Sequence, residues 1–168
     1  MIIVGDSAVD ILTEKKLGIR AVCHLKARND RICFYSYVIM MIQKGGNALE
    51  WLKRMMDAVE YMEEHIEEPI DASMVAKVAY SSTFHFQRMF YMLTGTTVAE
   101  YLRNRRLTLA AQEMATTKAK VLDVAIKYGY DTPESFSKAF RRVHGISPST
   151  ARESEANLKA YPRISFQL

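Results

Sequence analysis

Ser82-Thr83-Phe84-His85-Phe86-Gln87-Arg88-Met89-Phe90-Tyr91-Met92-Leu93-Thr94-Gly95 decides the fold, because the chain writes it twice, the second time as Thr132-Pro133-Glu134-Ser135-Phe136-Ser137-Lys138-Ala139-Phe140-Arg141-Arg142-Val143-His144-Gly145. Ser82, Phe86, Phe90 and Gly95 return as Thr132, Phe136, Phe140 and Gly145, each displaced by fifty residues, and Arg88 returns as Lys138. Each copy reads as a hydroxyl N-cap, a helix with aromatics four apart, and a glycine stop. A shorter apolar-periodic helix precedes each one: Asp71 caps a segment running to about Ala79, and Val121 to Tyr128 is stopped by Gly129. Short helix, tight turn and capped helix make a helix-turn-helix unit, and two such units are predicted. Two unrelated helix pairs would have to match in cap, aromatics, cation and stop.

The pattern extends outward from these copies. A long helix from Val98 to about Ala115 carries Val98, Tyr101, Leu102, Leu109 and Met114 among Arg103, Arg105 and Arg106, and joins the units. Ahead of the first unit, Trp51, Met55, Ala58, Val59, Met62 and Ile66 make one apolar face, with Glu60, Glu63, Glu64 and Glu67 opposite, until Pro69 ends the helix. Pro133 and Glu134 at the start of the second copied helix suit its dipole. Ser147-Pro148 opens a last short helix. The expected fold class is all-α. The domain spans 49–154, with unit 1 at 49–95, the joining helix at 97–116 and unit 2 at 120–154, followed by a tail at 155–168. Residues 1–47 show no sustained period, end in the breaker Lys44-Gly45-Gly46-Asn47, and form an unassigned extension. We hypothesise that natural translation starts at Leu49, since Lys44-Gly45-Gly46 can be encoded by a ribosome-binding-site-like purine run. Peptides from residues 1–47 in a mass spectrum of the native protein would end that idea.

The chain has 168 residues, a length that fits one ordinary domain or two small ones. Its apolar fraction of 49% and charged fraction of 25% are those of a globular chain. The apolar run Ile32–Ile42 is too short to span a bilayer and Met1 begins no secretory pattern, so a cytoplasmic location without membrane association is expected. Cys23 and Cys33 fit neither a disulfide framework nor a zinc site. Net charge is only +4, but its distribution is uneven. Glu50 to Asp71 holds two basic and eight acidic residues, a net of −6. Met74 to Arg152 holds twelve basic and five acidic ones, a net of +7. The basic part coincides with the repeated units, as for a protein whose partner is a polyanion.

At 100° per residue, Phe86, Met89, Phe90 and Leu93 share one stripe and must face a core. Phe84, Arg88 and Tyr91 lie opposite, flanked by Gln87 and Thr83. Such side chains read DNA: Arg bonds guanine O6 and N7, Gln bonds adenine N6 and N7, and an exposed aromatic packs on a thymine methyl. In the second copy Phe136, Ala139, Phe140 and Val143 make the core stripe and leave Glu134, Lys138 and Arg141 outward, with Ser137 beside them. Glu134 can accept from cytosine N4 and Lys138 can donate to guanine, whereas Arg141 and Arg142 lie where phosphate contact is favoured. Each outward polar residue also suits a merely solvated helix face. Phe84 does not, because it would expose an aromatic without reason. His85 is read as a core-edge or phosphate-contacting residue ahead of a metal ligand. Arg103, Arg105 and Arg106 are read as solvated or salt-bridged, with phosphate contact by one of them as the alternative.

Residues 49–153, about 60% of the chain, resemble the double helix-turn-helix DNA-binding domain of the AraC/XylS family of bacterial transcriptional regulators. The resemblance is carried by Ala76, Ser82, Phe86, Arg88, Phe90 and Gly95, and by Tyr101, Arg105-Arg106-Leu107 and Ala110. Val124-Ala125, Gly129-Tyr130, Ser135-Phe136, Ala139-Phe140, Gly145 and Ser147-Pro148 carry it through the second half. It implies a seven-helix domain whose third and sixth helices enter successive major-groove segments of double-stranded DNA. By position it implies base readers at Phe84, Gln87 and Arg88, then at Pro133, Glu134, Ser137 and Lys138. The first turn departs from the family in having Tyr80-Ser81 where a Gly and an apolar residue are common. The tail around Tyr161-Pro162 resembles the linker to a gyrase-inhibitor-like ligand-binding domain that is absent from this sequence, so a small-molecule inducer would act only through a domain outside it.

The function expected is sequence-specific DNA binding for transcription regulation, without cofactor, with RNA polymerase as a further candidate partner. The alternative is a protein-interaction module binding RNA polymerase or another regulator, whose binding would be insensitive to salt. An enzyme is not expected: no paired carboxylates in a plausible cleft, Ser-His-Asp set or phosphate-binding glycine loop is found.

Overall fold

The computed structural model describes residues 48–152 and 158–166. The expectations for the extension 1–47, with Cys23 and Cys33, and for residues 155–157 and 167–168 of the tail lie outside the described residues. Within them every regular element is helical: α1 (Ala48–Glu64), α2 (Ala72–Val78), α3 (Thr83–Thr94), α4 (Val98–Thr116), α5 (Val121–Lys127) and α6 (Pro133–His144), then a 3-10 turn at Thr150–Arg152. That 3-10 turn occupies the place of the expected seventh helix. Ser147 Oγ accepts from Thr150 N–H at 3.2 Å and sets it up, but only three residues follow in helical geometry.

The chain divides into two compact units. Among the described residues the first comprises 48–60, 76–97 and 164–166. Leu52, Met55, Ala58, Val59, Ala76, Ala79, Phe86, Met89, Phe90, Met92 and Leu93 are buried there. Trp51, read as part of the apolar face of α1, is only half-buried, and Leu52 beside it takes the core position. Among the described residues the second unit comprises 61–75, 98–152 and 158–163. Leu107, Ala110, Ala111 and Met114 of α4, Val124 and Ala125 of α5, Tyr128, Phe136 and Phe140 of α6, and Ala151 form its cluster. Burying a Phe in such a cluster is worth about 3 kcal/mol or more against truncation to Ala.

The expected starts and stops are made by hydrogen bonds. Asp71 Oδ1 accepts from the N–H groups of Ser73 at 2.8 Å and Met74 at 3.0 Å at the head of α2. Ser82 Oγ accepts from His85 N–H at 3.3 Å, and Thr132 Oγ1 from Ser135 N–H at 3.2 Å. Gly95 (φ 70°) and Gly145 (φ 81°) turn left-handed to end α3 and α6, their N–H groups donating to the carbonyls of Tyr91 and Arg141. Each such cap is worth about 1 kcal/mol.

α4 is held inside the second unit by two arginines that the sequence left undivided from Arg103. Arg105 donates from Nε (2.8 Å) and Nη2 (2.7 Å) to the two oxygens of Glu63, and Tyr101 Oη donates to the same carboxylate at 2.7 Å. Burial pushes the Glu63 carboxyl up, but the Arg105 and Tyr101 hydrogen bonds outweigh it and leave the net shift downward. Glu63 lies opposite the apolar face of α1 in the sequence, with Glu60, Glu64 and Glu67, yet it is a part-buried anchor. Arg106 donates from Nε to the Ile66 carbonyl (2.7 Å) and from Nη2 to the Glu68 carbonyl (2.6 Å), satisfying backbone acceptors of the turn that follows α1. Arg103 is the exposed member of the three.

Candidate nucleic-acid interface

α3 and α6 have the same length, twelve residues, and the same plan. Phe86, Met89, Phe90 and Leu93 are buried, with the Phe86 and Phe90 ring centroids 5.9 Å apart. In the second unit Phe136 and Phe140 are buried with centroids 5.5 Å apart, while Ala139 and Val143 pack half-buried against the same cluster. These four-residue spacings fix which face of each helix is left over.

On α3 that face carries Thr83, Phe84, Gln87, Arg88 and Tyr91, all exposed. Phe84 has 75% and Tyr91 45% of its surface in water. An aromatic this open on a capped helix has no core to serve, so it is available to a partner surface. On α6 Glu134, Lys138, Arg141 and Arg142 are exposed, and Pro133 and Ser137 are half-buried. Arg141 donates from Nε to the Ser137 carbonyl at 3.4 Å, which leans it back along its own helix. Every α3 or α6 residue read from the sequence as a DNA contact therefore lies on the outward face of its helix or at its edge, while Arg105 and Arg106 of α4 turn inward. α3 presents aromatic and amide groups with one guanidinium, whereas α6 presents a carboxylate and three cations.

The turns before these helices differ in a way the fifty-residue repeat hides. Tyr80 (φ 51°) and Gly129 (φ 80°) both turn left-handed, and Ser81 N–H to the Ala76 carbonyl (3.0 Å) matches Tyr130 N–H to the Ala125 carbonyl (2.9 Å). These positions, like α2 and α5 themselves, are displaced by forty-nine residues, so the second unit spends one more residue between turn and cap. The departure from glycine at Tyr80 leaves the turn geometry intact. It costs about 1–2 kcal/mol of backbone strain, since a left-handed backbone crowds a β-carbon. Gly129 has no such cost.

Two groups escaped the sequence reading. His144, at the end of α6, is buried, its ring 4.4 Å from that of Phe140 and its Nε2 3.1 Å from the Leu107 carbonyl. Its counterpart in the repeat is Thr94, which gave no signal of a buried ring. Tyr80 packs against Arg54, whose guanidinium carbon lies 5.5 Å from the ring centroid. The only clue to it was the missing glycine.

Two capped helices, each following a short helix through a left-handed turn and each turning an unpacked polar face outward, define a double helix-turn-helix module. The model of a helix-turn-helix domain matches residues 75–154. The chain is similar to the regulatory protein SoxS of Salmonella typhimurium, at 42% identity over 94 residues, covering 56% of this chain and 88% of that one. It is similar in structure to a transcriptional regulator described as an AraC-type DNA-binding domain-containing protein from Chromobacterium violaceum, with a TM-score of 0.59 and 26% identity, over 63% of this chain and 95% of that one. The DNA-binding domain of AdpA, a global transcriptional factor solved in complex with a target DNA, gives a TM-score of 0.54 and 32% identity over 58% and 87% of the two chains. The chain belongs to the AraC/XylS family of DNA-binding transcription regulators. Among the described residues no helix is long and apolar enough to cross a membrane.

Proposed function

We propose that residues 49–154 bind double-stranded DNA sequence-specifically by placing α3 and α6 in adjacent major-groove segments, and so activate or repress transcription. Thr83, Phe84, Gln87, Arg88 and Tyr91 of α3 meet one half-site. Pro133, Glu134, Ser137, Lys138 and Arg141 of α6 meet the other. The observation that carries this is the matched pair of capped helices, each with its aromatics buried and its polar face open. The DNA-bound domain of AdpA, similar in fold, supports it. Side chains of α3 suit base edges through Arg88 and Gln87 and a thymine methyl through Phe84. On α6, Glu134 and Lys138 suit bases and Arg141 the backbone. Adjacent major-groove segments on one face of the duplex are about 34 Å apart, so the site is two unlike elements roughly 10 bp centre to centre. RNA polymerase is the further partner through which a bound regulator acts on transcription.

Selection from a random duplex library at two salt concentrations tests this. Two dissimilar elements about one duplex turn apart, bound with a steep loss of affinity at higher salt, are expected. Enrichment of no motif, with binding indifferent to salt, would refute it.

A further inference from the structure

We propose that Tyr80 and Arg54 form a phosphate-contacting pair beside α3, the phenol ring holding the guanidinium where the DNA backbone passes; this rests on the DNA-binding reading above. Tyr80 is the one non-glycine residue with positive φ among the described residues, and 83% of its surface is open to water. Its ring therefore gains no core packing in return for the strain. Strained, over-determined residues of this kind cluster where function holds them. Arg54 lies over the ring within cation–π range, and its other contact is an exposed 3.4 Å approach to Glu50 that holds it weakly. Arg54 and Lys53 are the only basic residues of α1, an otherwise acidic helix, and Arg54 stands where α1 meets the turn.

Placement connects the pair to DNA. Tyr80 precedes the α3 cap Ser82 by two residues, so its Cα lies within about 7 Å of the end of α3 that enters the groove. The phosphates flanking a groove are the nearest polyanion to that end. A guanidinium resting one face on an aromatic ring keeps its N–H edge free, and that edge matches two phosphate oxygens. The Tyr80 hydroxyl adds a neutral donor beside it.

Fluorescence anisotropy on the selected duplex and on a random-sequence duplex of about 25 bp, over a range of salt, with thermal melting alongside, tests the pair. Arg54→Gln is expected to weaken binding to both duplexes about 3–10-fold and to make the slope of log K against log salt shallower by about 0.9, with the melting temperature held. Tyr80→Gly relieves the turn, so it is expected to raise the melting temperature by a few degrees and yet to weaken binding to both duplexes. Tyr80→Phe keeps ring and strain and should keep the salt slope. Wild-type affinity and slope in Arg54→Gln, or unchanged or tighter binding in Tyr80→Gly, would overturn the proposal and leave Tyr80 to the turn alone. A wild-type protein that binds neither duplex would fail the DNA-binding reading as a whole, an outcome distinct from either.

Discussion

Arg88 and His144 show the two ways a single residue matters here. Arg88 is exposed among neighbours that face the same way, so its loss leaves the fold untouched. Arg88→Ala is expected to cost about 1–3 kcal/mol of binding and to relax one base position in a repeated selection. Equal weakening on every sequence would make it a phosphate contact. His144 works inward. Burial lowers its pKa below the ordinary 6.5, while the Leu107 and Lys159 backbone groups pull the other way. The unfolded chain therefore takes up the proton first, and stability is full above about pH 6.5 and lost as pH falls below it. Denaturant midpoints at pH 7.5 and 5.5 should fall further apart in the wild type than in His144→Gln, and equal falls would acquit the histidine. Arg88 was legible because helical periodicity alone points it outward. The role of His144 was not, because the carbonyl it meets is thirty-seven residues away.

At the scale of elements, α3 and α6 were readable nearly to the residue, because a hydroxyl cap and a left-handed glycine are local chemistry. Thr132→Ala is expected to cost about 1 kcal/mol, read as a lowered denaturant midpoint, since Ser135 N–H loses its acceptor. Tyr130 in the turn ahead stacks edge-on with Phe136 at 5.3 Å, so the start of α6 is also fixed by packing. The one-residue difference between the two turns was hidden by the aromatics, which repeat at fifty while the helices before them repeat at forty-nine. The 3-10 turn at Thr150–Arg152 took the place of an expected helix because Ser147-Pro148 marks a start and says nothing of length.

For the whole molecule, the outward faces of α3 and α6, proposed to read DNA, differ in chemistry, so each should answer to its own half of the DNA site. Substitution of Gln87 with Arg88 should degrade discrimination in one half-element, and Glu134 with Lys138 in the other, roughly additively, since the residues are on separate helices. Competition binding with duplexes altered in one half at a time reads this directly. Loss of discrimination in both halves from either pair would break the assignment. Affinity should also fall by orders of magnitude between low and moderate salt, in keeping with the net +7 of the stretch that carries both faces.

By itself the sequence determined the all-helical fold, the duplication, the caps and the outward faces of α3 and α6. Each of these follows from neighbours within one or two helical turns. Tertiary structure alone decided that Arg105 and Arg106 serve the fold while Arg103 faces solvent, that Glu63 is an anchor on an acidic helix, that His144 is buried, and that Tyr80 carries Arg54. A charge on a helix reads the same in sequence whether it meets water or a carboxylate. Only the approach of segments some forty residues apart in the chain settles which it meets.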